Sequence, residues 1–278
     1  MYPRTSSVTR PKTWAAVPML LLIVTILGAC ANSASGGSGK SQLTGGTVME
    51  KQARFDPLGP ANCPQGQEVD QSIYVDASLS SRSKRLNGER LVEILATSRV
   101  PSICGGHLRI VMFARSIAGI ETVIDTNLDP GHGTYASQVI KADKAIEGMV
   151  ERVRMAMAKP SIETRGTDIV GVLRDAAETR PPRSSSRFYK VLVITDGEAT
   201  GALRIGPKGT VAQATKLARA ALVPDLTGAD VRFVGVGVLG RARQPATSHV
   251  TALKALLQTL CNRATRATCP APTTNYTQ

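Results

Sequence analysis

The chain has 278 residues, 42% of them hydrophobic, and a formal net charge of +13 at pH 7. A basic balance favours anionic neighbours such as lipid headgroups, wall polymers or an acidic protein. With only 4% aromatic residues there is little to stack bases, so the charge does not point to a nucleic-acid partner.

Residues 1–29 carry Arg4, Arg10 and Lys12 and no acidic residue. The apolar stretch 17–27 is too short for a comfortable membrane span and suits the core of a signal peptide. It ends in Leu27-Gly28-Ala29-Cys30, which resembles a bacterial lipobox. That resemblance implies cleavage before Cys30 and a lipid on its thiol. Residues 30–60 follow, beginning with a Gly/Ser/Ala-rich run, and read as a flexible linker. About 30 such residues reach roughly 30 Å, enough to hold a domain clear of a bilayer. The expected location is the extracytoplasmic face of the cell membrane, lipid-anchored.

From residue 61 to 270 the pattern is that of one domain, with a disordered tail expected over 271–278. Residues 72–75 read as a buried strand and 85–96 as a helix with Leu86, Leu91, Ile94 and Leu95 on one face. Residues 108–114 and 119–125 read as a hairpin, and 129–133, containing His132, as a loop. A long amphipathic helix spans 135–158 and faces a core; Pro160 ends it. The next helix covers 168–179, followed by the exposed connection 181–186 and a strand over 188–195 that is buried on both faces. A helix at 211–222, a strand at 231–238 and a last helix at 248–261 complete the order. Strands alternating with helices predict an α/β fold: an open, mostly parallel, doubly wound sheet with helices on both faces.

Three stretches carry the chemistry. Asp76-Ala77-Ser78-Leu79-Ser80 follows the first strand, Gly166-Thr167-Asp168 opens a helix, and Thr195-Asp196-Gly197 ends a strand. In an open α/β sheet, ligands bind beyond the carboxyl ends of the strands, where strand order reverses. Two serines, a threonine and two aspartates, without His or Cys, suit a hard cation such as Mg²⁺, with Mn²⁺ or Ca²⁺ as alternatives. Asp168 reads as a helix cap. Glu198 reads as a solvated loop acid, with a bond to metal-bound water as the alternative.

Taken together, D-x-S-x-S, a later Thr-Asp and T-D-G resemble the von Willebrand factor type A domain and its metal-ion-dependent adhesion site, over roughly residues 68–263. The resemblance implies that Ser78 and Ser80 ligate the metal directly. It implies that Thr167 joins them directly or through water, and that Asp76 and Asp196 act mainly through bound waters. A partner protein would then present an Asp or Glu to the ion.

Five cysteines leave four once Cys30 is set aside, and an exported chain with four suits two disulfides. Cys63–Cys269 with Cys104–Cys261 would tie the two ends of the domain and is the expected pairing; a local Cys261–Cys269 bridge is also sterically open. The function expected is a membrane-anchored, metal-dependent protein-binding module rather than an enzyme. A hydrolase using Ser78 or Ser80 as nucleophile lacks a G-x-S-x-G elbow, a well-placed His base and a phosphate-cradling glycine loop. The third possibility is a structural envelope lipoprotein that binds anionic polymers without metal.

Overall fold

The structure, a computed structural model, describes residue 63 and residues 67–81, 83–116, 119–129, 134–182, 186–240 and 244–276. All of them fall in the second of the chain's two units, Thr44–Gln278. The leader, Cys30, the whole linker and His132 lie outside the described residues.

In chain order the elements are β1 (Glu68–Asp76), α1 (Lys84–Cys104), β2 (Gly106–Phe113), β3 (Glu121–Leu128), α2 (Tyr135–Ala158), α3 (Ile169–Glu178), β4 (Arg187–Ile194), α4 (Val211–Ala220), β5 (Asp230–Val234) and α5 (Thr247–Thr265). The sheet order is β3-β2-β1-β4-β5. β2–β1, β1–β4 and β4–β5 are parallel pairs, and β3 lies antiparallel to β2, as the hairpin reading predicts. The fold is therefore α/β with a mostly parallel sheet. Strand order reverses between β1 and β4, which leaves a crevice at their carboxyl ends.

Successive strand residues point to opposite faces, and the two faces carry separate cores. Ile73, Val75 and Ile110 pack with Leu86 and Ile94 of α1 and with Ile146 and Val153 of α2. Tyr74, Val111 and Val193 pack with Ile169 and Leu173 of α3 and with Leu253, Leu256 and Leu257 of α5. Helices thus cover both faces. Among the described residues no helix is long and apolar enough to cross a membrane.

The second face also holds an ionic cluster. Arg109 of β2 donates to the Asp175 carboxylate of α3, and the Tyr74 hydroxyl donates to the same carboxylate at 2.6 Å. Arg109 and Asp175 are both about 7% exposed. Burial, with the neighbouring Tyr189 and Asp175, pushes the Tyr74 hydroxyl far up from its ordinary pKa. This cluster fixes α3 across β1 and β2.

The disulfides differ from the expected pairing. Cys63 bonds Cys104, and Cys261 bonds Cys269, with Cα–Cα distances of 5.4 and 6.1 Å. The reason is where two helices stop. α1 continues through Pro101 to Cys104, so its end meets the chain entering β1. α5 runs past Cys261 to Thr265, and Arg266 in the left-handed region (φ 55°) turns the chain back onto it.

The tail expected to be disordered is folded over 271–276. Thr273 donates its N–H to Phe233 O at 3.1 Å, and Val236 donates to Thr273 O at 2.9 Å, so this segment lies along the outer edge of β5. Tyr276 is 5% exposed. β5 itself stops at Val234 rather than 238, because Gly235 and Gly237 both adopt positive φ (79° and 81°).

Candidate metal centre

Parallel pairing puts Val75 opposite Ile194, so Asp76 and the Thr195-Asp196 pair leave adjacent strands side by side. The third stretch joins them through the backbone. Asp168 N donates to Ala114 O beyond β2 at 2.8 Å, and Leu79 N donates to Thr164 O at 3.1 Å. Thr200 holds Thr167 from the other side, accepting from its N–H and donating to its carbonyl, both at 3.1 Å. The three stretches that the sequence singles out therefore form one cluster.

Within it, Asp76 is fully buried and well partnered. Its Oδ1 accepts from Ser78 N at 2.8 Å, and its Oδ2 accepts from Thr195 Oγ1 at 2.7 Å and Thr167 Oγ1 at 3.4 Å. The Ser78 and Ser80 hydroxyl oxygens are 3.2 Å apart. Asp196 is also fully buried; its Oδ1 accepts from Glu198 N at 2.9 Å, whereas Oδ2 has no hydrogen-bond partner. Burial first, then the neighbouring Asp76 charge, push the Asp196 carboxyl up to about 7, against the pull of Ser80, the Glu198 amide and Arg90.

A glycine must follow Asp196. Gly197 has φ 81°, and a Cβ there would sit 3.2 Å from Val236 and 3.4 Å from Leu257. Its N–H donates to Thr195 Oγ1 at 3.0 Å, which aims that hydroxyl at Asp76.

The donor set fits a hard divalent cation. All five residues named from sequence (Asp76, Ser78, Ser80, Thr167 and Asp196) lie at the crevice, all offer oxygen, and one buried carboxylate oxygen is left without a partner. Among the described residues there is no group of three or more His, Cys, Asp or Glu able to hold a metal. Asp168 caps α3 as expected, accepting from Gly171 N at 2.8 Å.

Glu198 departs from the expectation of a solvated acid. It pairs with His249 Nε2 of α5 at 2.8 Å, and its side chain is only 27% exposed. Sequence reasoning gave Thr195 no role of its own within its stretch and passed over Ser81 and Arg90. Ser81 Oγ donates to Asp76 O at 2.8 Å, and Arg90 Nη1 donates to the same carbonyl at 3.1 Å. Arg90 carried a usable signal: Leu86, Arg90 and Ile94 share one helix face at four-residue spacing, which sets a charge on the apolar stripe.

Beside the centre lies an open groove of about 740 Å³, within the usual range for ligand sites of about 300–1,000 Å³. Ser80, Thr167, Ile205, Pro207 and Pro245 line it together with the exposed Arg204.

No protein-family model matches the chain, and no curated protein matches it in sequence. Solved structures do match. One is an aerotolerance-related membrane protein from Bacteroides fragilis carrying multiple mutations to serine: 20% identity, TM-score 0.35, covering 70% of this chain and 88% of that one. Another is the pilus adhesin SpaC from Lactobacillus rhamnosus GG in an open conformation: 13% identity, TM-score 0.37, covering 70% of this chain. This chain spans about a quarter (26%) of the adhesin's length. At these scores neither likeness bears on what the chain does.

Proposed function

We propose that the chain is a lipid-anchored, extracytoplasmic protein-binding module of the von Willebrand factor type A kind, which recognises an acidic side chain of its partner through a divalent cation, Mg²⁺ in the first instance. The observation that carries this is the convergence of Ser78, Ser80, Thr167, Asp76 and Asp196 at the sheet's reversal point, with Asp196 Oδ2 left unpartnered.

Ser78, Ser80 and Thr167 would hold the ion, with the two aspartates behind them. When bound, the ion would supply an electron-poor centre with an exchangeable position for an incoming carboxylate. The protein's own part is positioning. Asp76 accepts from Ser78 N, Thr195 and Thr167, and so fixes all three stretches around one point. The neighbouring groove gives room for the partner's chain, and Arg204 offers a second contact to an anionic group.

Binding is favoured over hydrolysis because the Ser78 hydroxyl is bonded to Ser80 and Ser81, while the nearby imidazole of His249 is paired with Glu198. Anchoring through Cys30 would place the module on the outer face of the membrane, and the basic surface would favour acidic partners there.

The test is an array of acidic peptides probed with the chain in Mg²⁺ or in EDTA, beside Ser78→Ala and Arg204→Glu. Binding to Asp- and Glu-bearing peptides is expected only with the metal, to be lost in Ser78→Ala, and to fall roughly three- to tenfold in Arg204→Glu. Binding that persists in EDTA and simply fades with salt would favour the reading as a metal-free envelope lipoprotein that holds anionic polymers.

A further inference from the structure

Arg90 is a charged residue in an unusual position. It is 1% exposed, beneath two fully buried aspartates, yet it makes no ion pair with either. Its Nη1 donates to the Asp76 carbonyl rather than to the carboxylate, and its Nε donates to the Tyr276 hydroxyl at 3.4 Å. Its Nη2 has no partner. Asp196 Oδ2, a buried acceptor within reach of Arg90's charge, has none either. Two buried groups of opposite sign therefore lie within electrostatic reach of each other without forming an ion pair. Left to itself, a buried guanidinium gains most by pairing with a carboxylate.

The end of the chain supplies Arg90's second partner. After Arg266 the backbone turns and runs back along α5. Asn262, Gln258 and Lys254, one helical turn apart, stitch it down: Cys269 N donates to Asn262 Oδ1 (2.8 Å), Gln258 Nε2 donates to Cys269 O (2.9 Å), and Lys254 Nζ donates to Thr274 Oγ1 (3.1 Å). The Cys261–Cys269 disulfide pins the start of this strap, and the Thr273 backbone bonds fix its middle to β5 and to Val236. Its end delivers Tyr276 into a space that exists only because residue 235 is glycine. A Cβ on Gly235 would lie 2.4 Å from the Tyr276 ring. The Arg90 guanidinium lies 5.7 Å from the centre of that ring.

Building on the metal-binding reading, we infer that Arg90 is an internal competitor for the cation and that the C-terminal strap, through Tyr276, holds it clear of Asp196. With the strap seated, Arg90 is occupied by a hydroxyl and a carbonyl, and Asp196 Oδ2 stays open. With the strap released, Arg90 turns onto Asp196 and fills electrostatically the place a divalent ion would take. Tyr276 is thus a positioning residue for the metal centre, and the seating of the strap sets its affinity.

The experiment is Mn²⁺ and Mg²⁺ titration by calorimetry on the full chain: wild type, Tyr276→Ala, Tyr276→Phe, Arg90→Gln and the Arg90→Gln/Tyr276→Ala double variant, with circular dichroism on each. Tyr276→Ala is expected to weaken metal binding roughly three- to tenfold, the worth of one buried hydrogen bond. Tyr276→Phe keeps the ring on Gly235, so it folds even where the alanine variant does not, and should move affinity in the same direction. Arg90→Gln should raise affinity about tenfold by removing the competing charge. In that background Tyr276→Ala should have no further effect, an epistasis that lost packing alone would not produce. Equal weakening by Tyr276→Ala in both backgrounds, or none in either, overturns the inference while leaving the metal reading intact. Absence of binding by both wild type and Arg90→Gln overturns the metal reading and this inference with it.

Discussion

In EDTA, Asp196→Asn is expected to make the chain more stable at pH 8, by roughly 2–4 kcal/mol, and to leave it almost unchanged near pH 4. The cause is the raised pKa of the buried carboxyl, about 7 against an ordinary 3.8. Between those values the folded protein holds a proton that the unfolded chain has released. Stability of the wild type therefore falls as pH rises through this window, and above it the full cost of a buried carboxylate beside Asp76 is present. Asparagine keeps the shape and cannot ionise, so the part of the slope due to Asp196 should disappear, leaving that of Glu93, whose carboxyl burial also pushes up to about 7. Urea midpoints at pH 4, 6 and 8 measure it. A wild-type slope equal to that of the variant would show that Asp196 stays ionised throughout. A residue that destabilises the metal-free fold is most simply retained for what it binds.

The second large effect lies away from the centre. Asp175→Ala is expected to cost about 3–5 kcal/mol, because it strands the Arg109 guanidinium in the core. For a domain of this size that lowers Tm by roughly 6–20 °C. Tyr74 and Thr179 stay within reach of Arg109 but are neutral and carry no counter-charge. By contrast, removing Glu89 from its exposed pair with Arg85 should cost under about 0.5 kcal/mol, as i,i+4 surface pairs do. Thermal melts of the two variants side by side separate these cases. Similar small shifts in both would mean that the Arg109–Asp175 cluster does not hold α3 to the sheet.

The parts of the fold that were legible in sequence are those where one interaction dominates. β4 is buried on both faces and has an unbroken apolar run, Val191 to Ile194, so it reads directly as a central strand. β1 is equally central, yet only 72–75 showed. Asp70, Gln71 and Ser72 are buried by tertiary packing, and their polarity hides the strand's true start at Glu68. The α1 boundary failed for a related reason. Pro101 suggests an end, but it sits in the last turn, and Ser98 and Ser102 bond back to Ile94 O and Ser98 O on the buried side.

The residues of the candidate metal centre were legible because each follows a strand or opens a helix, and topology alone brings such positions together. Arg90 and Tyr276 were not, since one sits mid-helix and the other lies in a tail of low apolar content. Their meeting depends on how residues 266–276 fold back, which no local pattern encodes. The disulfide pairing failed on the same ground. Connectivity follows from where α1 and α5 end, and cysteine spacing does not contain that information.

The proposed function requires Asp76, Ser78, Ser80, Thr167 and Asp196 to form one cation site. Its most direct test is calorimetric titration of Mg²⁺ and Mn²⁺ into the chain beside Asp76→Ala, with circular dichroism to show that the variant keeps its fold. One saturable site in the wild type, lost in the folded variant, is the predicted result. Saturable binding that survives in Asp76→Ala, or none in the wild type, would contradict it.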